Sequence, residues 1–168
     1  MQLSEVKSLY AYDHWASGRI FDVSESLTEQ QYGEPSPLGG PGVREILTHI
    51  VDAMLGWRLY WEGKPEDEDL KPEDFDSLAA LVARWRLETD ALQTFLDTLS
   101  DDDLERPVRT LKLWQTLLHL ANHGTQHRSE VAMLLTHYGH SPDDLDLSWY
   151  LRDFAPKEDG PWSDPNRA

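Results

Sequence analysis

Apolar residues recur every three to four positions along most of this chain, a period that predicts four long helices and no sheet. In residues 4–26 the stripe is Leu9, Tyr12, Trp15, Ala16, Ile20 and Val23, with Ser4 placed to cap the first turn. LTEQQ then reads as a short turn of helix, and GEPSPLGGPG as a loop. The second stripe, Ile46, Ile50, Met54, Trp57 and Trp61, fills residues 43–62, closed by Gly63 and Pro65. After the acidic loop EDEDLKPED, residues 75–99 carry Leu78, Leu81, Val82, Trp85, Leu92, Phe95 and Leu99. Ser100 followed by DDDL reads as the cap of one further turn. VRTLKL could be extended, but it is short and has no obvious partner strand. The fourth helix spans residues 113–138 and ends before Gly139 and Pro142. Four such stripes predict an all-α four-helix bundle over residues 1–155. The beginning of the stretch after His140 can form a short helix packed back on it, and residues 156–168 are expected to be an irregular tail.

A run of histidines interrupts the fourth stripe. His119, His123 and His127 stand four residues apart in HLANHGTQH, on one side of a helix, with about 6 Å between successive rungs. Two adjacent rungs can hold one divalent ion; rungs two steps apart, about 12 Å along the axis, cannot share it. At about 100° per residue, His127 falls about 40° to one side of His123 and His119 about 40° to the other. Leu113, Leu117, Leu120, Val131, Leu134 and Leu135 lie on the His127 side. His123 and His127 are therefore the expected ligands, with His119 at the margin of the cleft. His49 lies beside Ile46, Ala53 and Tyr60 at the border of the second stripe, where it can complete the set if the two helices pack together. Alone it would read as a hydrogen-bonded core histidine. His14, His137 and His140 have no partner at ligand spacing and read as ordinary surface or helix-end residues. Glu45, one turn before His49, and Glu130, near the His123 face, could each orient an imidazole or accept a proton. In so acidic a chain the commoner role for both is that of a solvated helix carboxylate.

Composition narrows the chemistry. The chain of 168 residues has 31 acidic against 15 basic residues and a net charge of −16, which disfavours nucleic acid and anionic membranes as partners. Seven Trp, six Tyr and four Phe argue against a disordered acidic chain. No stretch is apolar enough to span a bilayer, and no secretory signal is visible, so the cytoplasm is the expected location. With no cysteine there is no disulfide, thiolate ligand or cysteine nucleophile. The HExxH of zinc proteases and the Glu-x-x-His of di-iron bundles are both absent, as are a phosphate loop and a nucleophile elbow.

The run LLHLANHGTQHRSEVAMLL resembles the fourth-helix motif of the DinB-like (YfiT-like) metalloenzyme family. VREILTHIVDAMLGW and YAYDHWASGRIF match its second and first helices, so the resemblance covers roughly residues 4–152. It implies a four-helix bundle, often a homodimer, with one divalent metal on three histidines that fall on His49, His123 and His127. A surplus of aromatic residues such as Trp61, Trp85 and Trp114 also suggests a homodimer. The usual motif continues HRGQ, whereas here Arg128 is followed by Ser129 and Glu130, which adds a negative charge near the proposed metal. Relatives in the family include transferases and isomerases that use low-molecular-weight thiols. The expectation is a divalent-metal enzyme, a thiol S-transferase in which the metal activates the thiol toward an electrophile. Zinc or nickel is expected; iron, cobalt and manganese fit the same ligands. The rival readings are a metal-dependent hydrolase and a stress protein that binds metal or a small ligand without turnover.

Overall fold

The computed structural model describes residues 1–65 and 69–155; the irregular tail expected at 156–168 lies outside the described residues. The fold is all-α. In chain order it comprises α1 (Leu3–Ser24), α2 (Glu29–Gly33), α3 (Val43–Glu62), α4 (Leu78–Asp97), β1 (Pro107–Val108), β2 (Leu111–Lys112), α5 (Leu113–His137) and α6 (Leu147–Asp153). Single 3-10 turns at Pro72–Asp74 and Asp102–Glu105 flank α4.

The helix ends are set by where orphan backbone donors find acceptors. Ser4 does not cap α1. The Gln2 N–H donates to the Glu5 carboxylate at 2.7 Å, and the Leu3 N–H donates to Asp101 at 2.6 Å, so the cap is shared between the helix's own first turn and a distant loop. Gly63, at φ 67°, closes α3, with the Lys64 N–H donating to Leu59 O at 2.9 Å. α4 starts later than the apolar stripe suggests, because the Ser77 side chain accepts from Ala80 N–H and Phe75 packs into the core from the preceding turn.

VRTLKL corrects the expectation of no strand. Pro107 pairs with Lys112 and Val108 with Leu111, so the segment pairs with itself as a small antiparallel hairpin. Its turn puts Arg109 at φ 54°, a conformation that hairpin turns usually give to Gly or Asn, so the usual turn signature is missing. The hairpin leads directly into α5.

One core joins the inner faces of α1, α3, α4 and α5, with Ile20, Leu47, Leu81, Leu113, Leu117 and Leu135 fully enclosed. Truncating any of these leucines to alanine is expected to cost about 2–5 kcal/mol. Trp61 and Trp85 are buried in this same core and Trp114 packs against it half-buried, so these aromatics do not by themselves call for a second chain. α6 returns to cover α1, packing Tyr150 in tilted contact with Tyr12 and Trp15. Two buried charge clusters cross the core. Glu88 on α4 accepts from Arg58 at 2.6 Å and from Arg84 at 2.9 Å, and Arg128 on α5 pairs with Asp13 on α1. No helix among the described residues is long and apolar enough to cross a membrane.

Candidate metal centre

α3 and α5 lie side by side, and each contributes imidazoles to the groove between them. His49 on α3 and His123 on α5 bring their Nε2 atoms to 3.0 Å. The His127 ring centroid is 4.8 Å from that of His49 and 4.3 Å from that of His123. One nitrogen from each of the three residues lies within 4.8 Å of the others. His49 is exposed, while His123 and His127 are half-buried, so one side of the cluster faces solvent.

A divalent ion fits this donor set. Bonds of about 2.0–2.1 Å from nitrogen to zinc put neighbouring ligand atoms about 3 Å apart, which is the approach His49 and His123 already make. The proton of His127 is committed elsewhere: its Nδ1 contacts Glu130 Oε2 at 2.7 Å, which turns Nε2 toward the cluster. Burial, then repulsion from His127, lowers the pKa of His49. Burial, reinforced by His127, His49 and His119, lowers that of His123 to about 4 against a weaker opposing pull from Glu130. Both imidazoles are thereby neutral near pH 7 and offer lone pairs, as metal ligation requires. Three histidine ligands would leave coordination positions for water or substrate on the solvent side.

The remaining candidates divide. His119 stays outside the group, exposed, 6.1 Å from His123 and 5.4 Å from Trp57 between ring centroids, at the margin where the helical wheel puts it. Glu45 is engaged elsewhere than at His49: its carboxylate accepts the Gly42 N–H at 2.7 Å and caps α3. Glu130 differs from the solvated carboxylate it was expected to be, because it holds His127. His14 stacks on Trp85 at 5.2 Å, His137 contacts Tyr138, and the His140 N–H closes the end of α5 by donating to Leu135 O. None of these three belongs to the cluster.

A family model described as "DinB family" matches residues 1–159. The chain belongs to the DinB family. It is 24% identical over 157 residues to "Protein DinB" of Bacillus subtilis (strain 168), an alignment covering 85% of this chain and 91% of the relative.

Two residues of this DinB chain matter to the site and went unnoticed in the sequence. Asp13 on α1 pairs with Arg128, whose guanidinium also donates to Ser17 at 3.1 Å and Thr125 at 3.0 Å. Gly124 adjoins His123 where this pair crosses α5. A Cβ there would sit 2.7 Å from Asp13 Oδ1 and 2.8 Å from Arg128 Nη1, closer than atoms can approach. One signal was available. Arg128 follows His127 within a buried stripe, and a buried guanidinium requires a carboxylate on a facing helix.

Proposed function

We propose that this DinB-family chain is a divalent-metal-dependent enzyme, a low-molecular-weight-thiol S-transferase. The observation that carries the reading is the convergence of three imidazoles on a half-open face, with 3.0 Å between His49 Nε2 and His123 Nε2. His49, His123 and His127 would hold the ion. Bound there, a zinc or nickel ion supplies Lewis acidity that lowers the pKa of a thiol or of water; iron, cobalt and manganese suit the same nitrogens.

The chain's own residues orient the chemistry. Glu130 keeps the His127 proton on Nδ1 and aims Nε2 inward. Trp57 and His119 form a wall beside the cluster against which a substrate can lie. The absence of cysteine fits a reaction whose sulfur arrives with the substrate. In the overall change the thiol loses its proton, sulfur bonds to an electrophilic carbon, and the leaving group departs with the bonding pair. The cytoplasm, where small thiols are kept reduced, suits this reading. Its partners are a small-molecule thiol, an electrophile and a second copy of the chain as a homodimer, which sedimentation equilibrium tests.

The test is metal analysis of the native protein, followed by a panel of small thiols and electrophiles with the zinc- or nickel-loaded protein. Thiol consumption that disappears in His123→Ala is the expected result. Substrate hydrolysis without thiol would replace the reading with a metal-dependent hydrolase. Metal binding with no turnover across the panel would replace it with a binding protein.

A further inference from the structure

His123 has one nitrogen that the three-histidine cluster leaves unexplained. Its Nε2 faces His49, while its Nδ1 is fully buried without a hydrogen-bond partner among the described residues. An ion on Nε2 requires the proton on Nδ1, and metal-bound histidines almost always donate that second N–H to a carboxylate, a carbonyl or a water. His127 meets this requirement through Glu130. Among the described residues His123 has no comparable side chain.

Beside His123 is a small, partly open cavity with about 10 Å³ of room for the centre of a water molecule. That is close to the space one water needs. Ile50, Met54 and Leu92 supply apolar walls, and Tyr10, Asp13 and His123 supply polar groups. The Tyr10 hydroxyl donates its proton to Leu117 O at 2.9 Å, which leaves its oxygen as an acceptor. The Asp13 carboxylate has lone pairs beyond those engaged by Arg128.

We propose that this cavity is a water-binding site that joins metal ligand His123 to the buried Asp13–Arg128 pair. The water oxygen accepts from His123 Nδ1–H, and its two protons go to the Asp13 carboxylate and the Tyr10 oxygen. Three hydrogen bonds are the usual complement of a buried water. Asp13 and Tyr10 are then positioning residues, which fix the tautomer and ring angle of His123 from a helix that supplies no ligand. The coupling to metal rests on the function proposed above; the water site itself does not.

Two arms separate those claims. A high-resolution crystal structure of the metal-free protein should show a water about 2.7–3.2 Å from His123 Nδ1 and bonded to Asp13 or Tyr10. A dry cavity would overturn the site. In the second arm, zinc dissociation constants are measured by chelator competition for wild type, Tyr10→Phe and Asp13→Asn, at a temperature where each is folded. The expected result is zinc binding weaker by about tenfold in each variant, with a displaced His123 Nδ1–H resonance. A merely structural role would lower the thermal midpoint and leave both readouts unmoved, which would overturn the coupling. If Asp13→Asn does not fold, Tyr10→Phe decides this arm. A wild type that binds no zinc, nickel or other divalent ion would remove the proposed function and the coupling, while the first arm still decides the water site.

Discussion

Replacing Gly124 by alanine separates two opposite expectations. In the middle of an exposed helix, alanine is about 1 kcal/mol better than glycine, so propensity alone predicts a more stable protein. The surroundings of Gly124 predict the reverse, because a Cβ would stand 2.7 Å from Asp13 Oδ1 and 2.8 Å from Arg128 Nη1. Neither atom is free to retreat. Arg128 is 2% exposed and is held by Asp13, Ser17 and Thr125. Relief requires prising the buried pair apart, and disrupting such a pair costs about 3–5 kcal/mol. Subtracting the helix-propensity gain leaves a net loss of roughly 2–4 kcal/mol. At about 2–4 °C per kcal/mol for a chain of this size, the midpoint should fall by roughly 4–16 °C. Thermal unfolding of the metal-free protein, followed by far-ultraviolet circular dichroism, measures this directly. Gly56 in α3 provides the internal control, since a Cβ there meets nothing within 4 Å. Gly56→Ala should be neutral or stabilising by up to about 1 kcal/mol. A Gly124→Ala protein as stable as wild type, or more stable, would refute the claim that the Asp13–Arg128 pair occupies that space rigidly.

Other consequences follow from the same packing. Glu130→Gln keeps an acceptor for His127 Nδ1–H but removes the charge, so zinc affinity should fall by about tenfold in chelator competition; unchanged affinity would show that the carboxylate does not support the ligand. In the metal-free protein, the His123 pKa is lowered from 6.5 to about 4, so the unfolded chain binds a proton that the folded chain refuses across that interval. Stability should therefore decline as pH falls from about 6.5 to 4, and His123→Gln should flatten that decline in pH-dependent urea unfolding; parallel profiles for the two proteins would contradict it. Arg58→Ala leaves the buried Glu88 carboxylate with Arg84 as its remaining ion-pair partner among the described residues, and should destabilise the fold by about 3 kcal/mol. A loss below about 0.5 kcal/mol in urea unfolding would mean that Glu88 is not held as an ion.

Much of the architecture was legible because helical periodicity is a local property. The stripes of α1, α3, α4 and α5 each identify a buried face without reference to the others. The same arithmetic put His127 and His123 nearer the core than His119, which is their order in the structure. Other features depend on what faces a segment, and were illegible for that reason. Asp101 caps α1 from the far end of the α4 connection. The hairpin at Pro107–Lys112 lacks the glycine or asparagine that would have marked its turn. The two glutamates show the distinction most clearly. Glu45 and Glu130 both stand at helical spacing from a histidine, yet Glu45 is the third residue of its helix, where an unpaired Gly42 N–H competes for the carboxylate. That competition was readable from the Gly42 to Glu45 offset at a helix start. Glu130 lies mid-helix, where the backbone N–H groups are already paired, so its carboxylate is available to the imidazole one turn away.

The position of Asp13 ties a helix that contributes no histidine to the geometry of the candidate metal site. The proposed ligands come from α3 and α5 alone, and their spacing depends on the height and rotation of α5 against its neighbours. An apolar stripe tolerates small axial slides, because leucines exchange similar contacts. A buried ion pair does not, since each donor must keep its acceptor. Arg128 is the residue after proposed ligand His127, and it is tied to Asp13 and Ser17 on α1. Gly124 is the residue after proposed ligand His123, and its missing side chain is what leaves room for the Asp13–Arg128 pair there. The two proposed ligands on α5 are thus each followed by a residue of the Asp13–Arg128 contact with α1, Arg128 as the ion-pair partner and Gly124 as the space it fills. The glycine and arginine of NHGTQHR would therefore serve the geometry of the proposed metal site without belonging to it.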